Sequence, residues 1–172
     1  MNNLLNIREI DASTRPLVTA FINSHWFGTD MLIRGEVIDM TRVDGFVLIE
    51  EDVITGLVTY IIRDNVCEIT SLDSAVPKRG VGSALVAELK KRAIEFGCIR
   101  LQLMSTNDNL NAIGFYQKRG FDMVGINLWA IDKEREQKPS IPLIGQNGVP
   151  MHHEIEFEMP LNRLPSTASE PV

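Results

Sequence analysis

The stretch VPKRGVGSALVAELKKRA, residues 76–93, decides the fold. A glycine-bearing turn runs directly into an amphipathic helix whose Val81, Leu85, Leu89 and Ala93 fall on one side, while Glu88, Lys91 and Arg92 face away. A helix lying on a sheet is expected, stopping at Gly97 in a left-handed conformation. Its start is suited to an anion. Backbone N–H groups without an intrahelical partner point outward with the positive end of the helix dipole, and glycines let a phosphate approach them closely.

Working outward, residues 45–75, GFVLIEEDVITGLVTYIIRDNVCEITSLDSA, read as three strands rich in Val, Ile and Thr. Their breaks, Glu51 with Asp52 and Asp64 with Asn65, are short enough to predict an antiparallel meander. On the other side of the helix, CIRLQLM (98–104) alternates as a strand, and STNDN (105–109) leads into a second helix through Ala112, Phe115 and Tyr116 to Gly120. Two successive strand-to-helix units, 66–97 and 98–120, predict crossovers that leave neighbouring strands parallel. The expected fold is therefore α/β, with layered α and β elements around a mixed sheet.

The flanks are less regular. Leu5 to Ile10 reads as a short strand, and Ser13 with Pro16 opens a helix carrying Leu17, Val18, Phe21 and Ile22. HWFGTDMLIRGEVIDM (25–40) shows no clean period and is expected to be a loop with a short turn of helix. Phe121 to Ile131 is expected as a strand. Residues 132–150 suggest one short helix and then an ordered Pro- and Gly-rich excursion. HHEIEFEMPL (152–161) alternates Ile155, Phe157 and Met159 against Glu154, Glu156 and Glu158 as a half-buried closing strand. Residues 1–164 are expected to form one domain, with no internal repeat and no dividing linker, and residues 165–172 a frayed tail.

Composition narrows the function. A chain of 172 residues, 44% hydrophobic and 23% charged, is long enough to bury about two-thirds of its unfolded surface. Its 23 Asp and Glu outnumber 17 Lys and Arg, and a net charge of -6 repels a phosphate backbone, so no nucleic-acid partner is expected. No run approaches the ~20 apolar residues of a membrane span, and the beginning, MNNLLNIREI, lacks the basic and apolar regions of a secretion signal. A cytoplasmic location with no membrane partner is the resulting expectation. Cys67 and Cys98 sit singly in apolar stretches and read as reduced core thiols. His152 and His153 are adjacent and lack the spacing that sets two ligands on one helix face, so no metal is expected.

The anion turn admits few ligands. A dinucleotide fingerprint opening at Gly80 and Gly82 meets Leu85 at its third glycine position and follows an antiparallel meander. A P-loop needs Lys and then Ser or Thr after its last glycine, whereas Gly82 is followed by Ser83 and Ala84. With both disfavoured, the run from EITSL through KRGVGSAL to NDNLNAIGFYQKRGF, residues 68–121, resembles the GNAT acetyltransferases, and the surrounding order of elements fits that fold. One departure is Pro77, where the family's turn usually carries Gln or Arg; Arg79 still supplies a cation beside Gly80.

The resemblance implies a mostly antiparallel sheet with one splayed parallel pair and helices on both faces. It implies acetyl-CoA as co-substrate, its pyrophosphate on the backbone of Arg79, Gly80, Val81, Gly82, Ser83 and Ala84 and its pantetheine arm along the strand edge at Leu72, Asp73 and Ala75. On the second helix Asn109, Ala112 and Tyr116 form one stripe along which a ligand can lie. Asn109 matches the family's asparagine at the coenzyme, and Asn107 is grouped with it, although Asn107 and Asp108 are also cap residue types and one of them is expected to cap the helix. Tyr116 matches the tyrosine of the family's FYxxxGF pattern. Its phenol is placed to protonate the leaving thiolate; the alternative is a core aromatic.

An amine acceptor must lose a proton, and Glu68, on a strand where some members carry a basic glutamate, is the candidate base; the alternatives are a solvent-facing side chain or an ion pair with a cross-strand Lys or Arg. The oxyanion is expected at a backbone N–H near Leu72. The acceptor pocket is expected from the irregular early and late segments, with His25, Trp26 and Arg34 as its notable side chains; a core plug is the alternative for Trp26 and a solvated charge for Arg34. The expected function is transfer of acetyl from acetyl-CoA to a primary amine of a small molecule or protein terminus through a ternary complex. The alternative is a non-catalytic acyl-CoA-binding or regulatory module. Family members often dimerise, so a homodimer is a further expectation.

Overall fold

The computed structural model describes residues 5–26, 28–75 and 80–161. The expectations for Pro77, Arg79 and the tail from 165 lie outside the described residues. Apolar side chains at the core-facing positions of the meander and of the first long helix set the frame. The strands β4 (Asp44–Glu50), β5 (Val53–Arg63) and β6 (Val66–Ser74) form the expected antiparallel meander. Glu51 and Asp52 and then Asp64 and Asn65 all have positive φ, so both connections are two-residue turns whose twist suits a hairpin.

The helix α2 (Val81–Glu95) follows, burying Val81, Leu85, Leu89 and Ala93 as its period requires. It ends where Gly97 turns left-handed with φ 73°, and the Cys98 N–H returns to the Ala93 carbonyl. The strand β7 (Arg100–Thr106) lies parallel to β6, and the helix α3 (Leu110–Gln117) packs on the same face as α2. Cys67 and Cys98 are free and buried, and burial pushes the Cys67 thiol up to about 12.

At the start of the chain, β1 (Ile7–Glu9) pairs with β4. Asp11 accepts hydrogen bonds from the Ser13 and Thr14 N–H groups, a turn that delivers the chain into α1 (Arg15–His25) with Pro16 in its first turn. Residues 25–40 depart from expectation. They hold a separate hairpin, β2 (Asp30–Ile33) with β3 (Glu36–Asp39), and among the described residues no helical turn beyond the end of α1. Arg34 and Gly35, at φ 50° and 79°, make its two-residue turn, and glycine removes the strain at the second position.

The second half corrects the topology in two places. The sheet order is β1-β4-β5-β6-β7-β9-β8, where β8 is Asp122–Asn127 and β9 is Glu154–Pro160. The unit through α3 therefore does not place β8 beside β7. The last strand, β9, enters between them and bonds antiparallel to both, leaving β6 and β7 as the parallel pair. This interior position fully buries Phe157. The strand expected to reach Ile131 ends at Asn127, because Trp129 turns left-handed at φ 62° and starts α4 (Ala130–Gln137), whose buried residue is Ile131. An excursion through Gln146–Gly148 follows as expected.

The result is a mixed, mostly antiparallel sheet with helices on both faces. One apolar cluster, around Leu85, Leu101 and Phe157, joins α2 and α3 to the sheet; the other, around Val18, Ile22 and Leu57, joins α1 and the β2–β3 hairpin to the opposite face. Burying such side chains contributes roughly 1.5–3 kcal/mol each.

Candidate active site

The site begins where two strands part. Among the described residues β6 and β7 pair over Val66 with Arg100, Cys67 with Leu101 and Glu68 with Gln102, and beyond that β6 continues to Ser74 paired with β5 and no longer with β7. Leu72 and Asp73 lie on this open length. Ala75 follows it, its N–H donated to the Thr55 carbonyl on the β5 side. A ligand with amide groups can thus add to the free β6 edge as a strand would.

A bulge sets the side-chain directions there. Thr59 faces Ser71 while Tyr60 faces Ile69, so Thr70 is an extra residue in β6. The buried Thr59 hydroxyl shares hydrogen bonds of 2.7 Å with both the Thr70 and Ser71 hydroxyls, satisfying the polar groups the bulge brings inside. Beyond the bulge the alternation is reset. Leu72 packs with Cys67 and Ile69 on the α2 face, while Glu68 and Asp73, five residues apart, share the α1 face with their cross-strand partners Ile61 and Leu57.

The anion turn stands beside this opening. Gly80 has φ 74° and is the N-cap of α2 with no side-chain capping bond, so among the described residues no cap side chain accepts from the first N–H groups of the helix, those of Val81, Gly82 and Ser83. The Ala84 N–H closes on the Gly80 carbonyl. Gly82 admits α3: a Cβ at this position would lie 3.1 Å from the Phe115 ring. Arg119, unremarked in the sequence reading despite its place in QKRGF, stacks 3.4 Å over that ring and donates from Nε to the Ser83 hydroxyl at 2.9 Å. A cation is thereby clamped at the helix start.

On α3 the cap differs from expectation. Asn109, not Asn107 or Asp108, is the N-cap and accepts the Ala112 N–H at 3.1 Å. Asn107 instead accepts from the His152 and His153 N–H groups and donates to the Pro150 carbonyl. Buried Asp108 accepts the Gln146 N–H at 2.7 Å. Both side chains tie the late excursion to the β7–α3 junction, as no local signal indicated. Tyr116 is buried among Phe115, Phe121 and Phe157. Burial first, and then the Asp73 carboxylate, push its phenol above the ordinary value, so it holds its proton at neutral pH.

The α1 face carries the charges. Arg34, expected as a solvated charge or pocket residue, donates from Nε to Glu68 Oε1 at 2.8 Å and from Nη2 to Glu156 Oε1 at 2.6 Å. Gln102 donates to the other Glu68 oxygen at 3.1 Å, so both oxygens of this buried carboxylate are engaged. Trp26 is half-buried at the end of α1, and its indole N–H reaches Asp73 Oδ2 at 3.2 Å. Burial raises the Asp73 carboxyl above its usual range, against the lowering effects of the Trp26 hydrogen bond and the charge of His25. Farther along, burial and the nearby Glu154 raise Glu134 to about 7. Glu134 lines a cavity of about 360 Å³ with Leu32, Gly35, Asn127 and Gln137, between the hairpin and α4.

The described residues contain no group of three or more His, Cys, Asp or Glu able to hold a metal, and no helix long and apolar enough to cross a membrane. Residues 9–121 match the family model described as the acetyltransferase (GNAT) family. The uncharacterized protein YdhI of Bacillus subtilis (strain 168) is 39% identical over 142 residues, 82% of this chain and 89% of that protein. A Bacillus subtilis acetyltransferase in complex with CoA superposes with a TM-score of 0.65 at 14% identity, covering 90% of this chain and 97% of that one. A GNAT acetyltransferase from Elizabethkingia anophelis with acetyl-CoA bound gives 0.64 at 17%, covering 90% and 96%. With the open β6 edge, the uncapped glycine turn and the α3 tyrosine in their expected order, this chain belongs to the GNAT family of acetyltransferases.

Proposed function

We propose that the protein transfers acetyl from acetyl-CoA to a primary amine of a small molecule or protein terminus within a ternary complex. The observation that carries this reading is the end of β6 beyond Glu68, no longer paired with β7, together with the glycine N-cap of α2 and Tyr116 buried on α3. The open edge of Leu72 to Ala75 takes the pantetheine amides, and the N–H of Leu72 receives the carbonyl oxygen as it becomes an oxyanion. The start of α2 receives the pyrophosphate, with Arg119 clamped beside it. Asn109 and Ala112 line the route toward Tyr116, which protonates the departing sulfur. Two similar folds were crystallised with CoA or acetyl-CoA, which supports that choice of co-substrate.

The acceptor enters from the α1 face. Glu68, Glu154 and Glu156 gather there around the single guanidinium of Arg34, and this excess of negative charge favours a protonated amine. Trp26 and Arg34 border the entry. The test is free-thiol release from acetyl-CoA in the presence of an amine library. Turnover with a primary amine is expected; clear acetyl-CoA binding without turnover for any amine would mark a non-catalytic module instead.

A further inference from the structure

We infer that Asp73 is the group that takes the proton from the acceptor nitrogen, held for that task by Trp26, while Glu68 is committed to fastening Arg34. This rests on the N-acetyltransferase reading. Three features of position carry it. Asp73 lies beyond the last β6–β7 pair, beside the backbone of Leu72 to Ala75 along which the thioester arm is proposed to run. The bulge at Thr70 turns its side chain to the α1 face, whereas Tyr116 belongs to the cluster on the α2–α3 face, so acid and base approach the sheet from opposite faces. The Trp26 indole binds Oδ2, and among the described residues Oδ1 has no hydrogen-bond partner. Glu68, the alternative base, has both oxygens occupied by Arg34 and Gln102.

The step balances. The amine binds as the ammonium form and releases its extra proton to solvent before attack; the neutral nitrogen's lone pair then forms the N–C bond to the thioester carbonyl. An N–H bond of the adduct then breaks to Asp73. The C–S bond breaks with its electron pair on sulfur, and sulfur takes the Tyr116 proton. The proton on Asp73 restores the phenol as products leave, so one proton has moved from nitrogen to sulfur. The groups that set the Asp73 titration are Trp26 and His25 from α1, which lower it, against burial, which raises it; Tyr116 faces it from α3. The active form is the carboxylate, so activity rises with pH through the Asp73 pKa.

The test compares wild type with Asp73→Asn and Trp26→Phe. It uses the library amine that wild type turns over fastest, and also hydroxylamine, a weakly basic nucleophile whose adduct loses its proton to water readily. Circular dichroism and thermal unfolding certify the fold of each variant. Asp73→Asn is expected to lose about a hundredfold or more in kcat with the amine, the usual range for general-base removal, but no more than about tenfold with hydroxylamine. Its profile should lack the Asp73 limb and keep only the rise that the amine's own deprotonation imposes. Trp26→Phe removes a bond that stabilises the carboxylate and should move that limb to higher pH, a shift that mere loss of packing does not produce. A folded Asp73→Asn protein that keeps the Asp73 limb beside the rise set by the amine, or a Trp26→Phe limb that stays in place, overturns the proposal. Wild type that releases thiol with neither nucleophile overturns the N-acetyltransferase reading itself.

Discussion

Arg34 and Glu68 meet at 2.8 Å although they lie in different sheets, one at the turn of the β2–β3 hairpin and the other on β6. The pair fastens the hairpin across the main sheet, and the second bond from Arg34 to Glu156 extends the fastening to β9. Replacing Arg34 by Met would leave the Glu68 carboxylate with Gln102 as its remaining bonded partner. The expected loss is about 2 kcal/mol, below the ~3–5 of a fully buried pair because the guanidinium is one-third exposed. Urea unfolding measures it, and Glu68→Gln in the Arg34→Met background should recover part of it. An unchanged midpoint would mean the pair is fully solvated.

Gly56 of β5 sits directly under the start of α2. A Cβ there would lie 2.4 Å from Val81 Cγ1 and 3.0 Å from Leu85 Cδ1, so Gly56→Ala must push the helix start outward. We expect a stability loss of about 1–3 kcal/mol and a weakening of CoA binding. Calorimetry with CoA and thermal unfolding report the two effects; full affinity would show that the turn tolerates displacement.

Arg119→Gln removes the cation held at Ser83 while keeping a polar side chain. CoA affinity is expected to fall roughly tenfold at low salt, and the gap to wild type should narrow as salt screens the charge. A gap that does not change with salt would assign Arg119 to clamping α2 against α3.

Tyr116→Phe keeps the ring that packs on Phe115, Phe121 and Phe157 and removes the hydroxyl alone. The expected signature is a fall in kcat of about a hundredfold with CoA affinity within twofold of wild type. Full kcat would return the residue to a purely structural role.

Glu134 carries a stability dependence on pH. Its folded-state value of about 7 lies above the unfolded value, so between the two the native state binds more protons and stability falls as pH rises. Glu134→Gln should therefore be more stable than wild type at pH 8 and should lose that advantage below pH ~5. Partial exposure reduces the expected gain to about 1 kcal/mol. Equal stability of the two proteins at pH 8 would contradict the raised value.

Much of the scaffold was legible locally. The meander, its two turns, the burial pattern of α2 and the ends of both long crossovers follow from side-chain period and turn chemistry, and the order of motifs from Glu68 to Phe121 was enough to suggest the family. The β2–β3 hairpin was legible in principle, since Arg34–Gly35 between short extended runs is a turn signal, but its strands expose Glu36, Val37 and Asp39 and so lack clean alternation. One of Asn107 and Asp108 is expected to cap α3, because both have the chemistry that suits that role. Their actual partners lie 38 to 46 residues away.

The turn at Gly80 and the helix behind it were determined by sequence alone, because backbone freedom and a 3.6-residue period are local properties. Only the tertiary structure decided that β9 enters between β7 and β8, because strand order depends on which apolar face finds cover. It also decided that Glu68 and Asp73 share a face. Simple alternation puts residues five apart on opposite sides, and one extra residue at Thr70, visible only in the register against β5, brings Asp73 to Trp26.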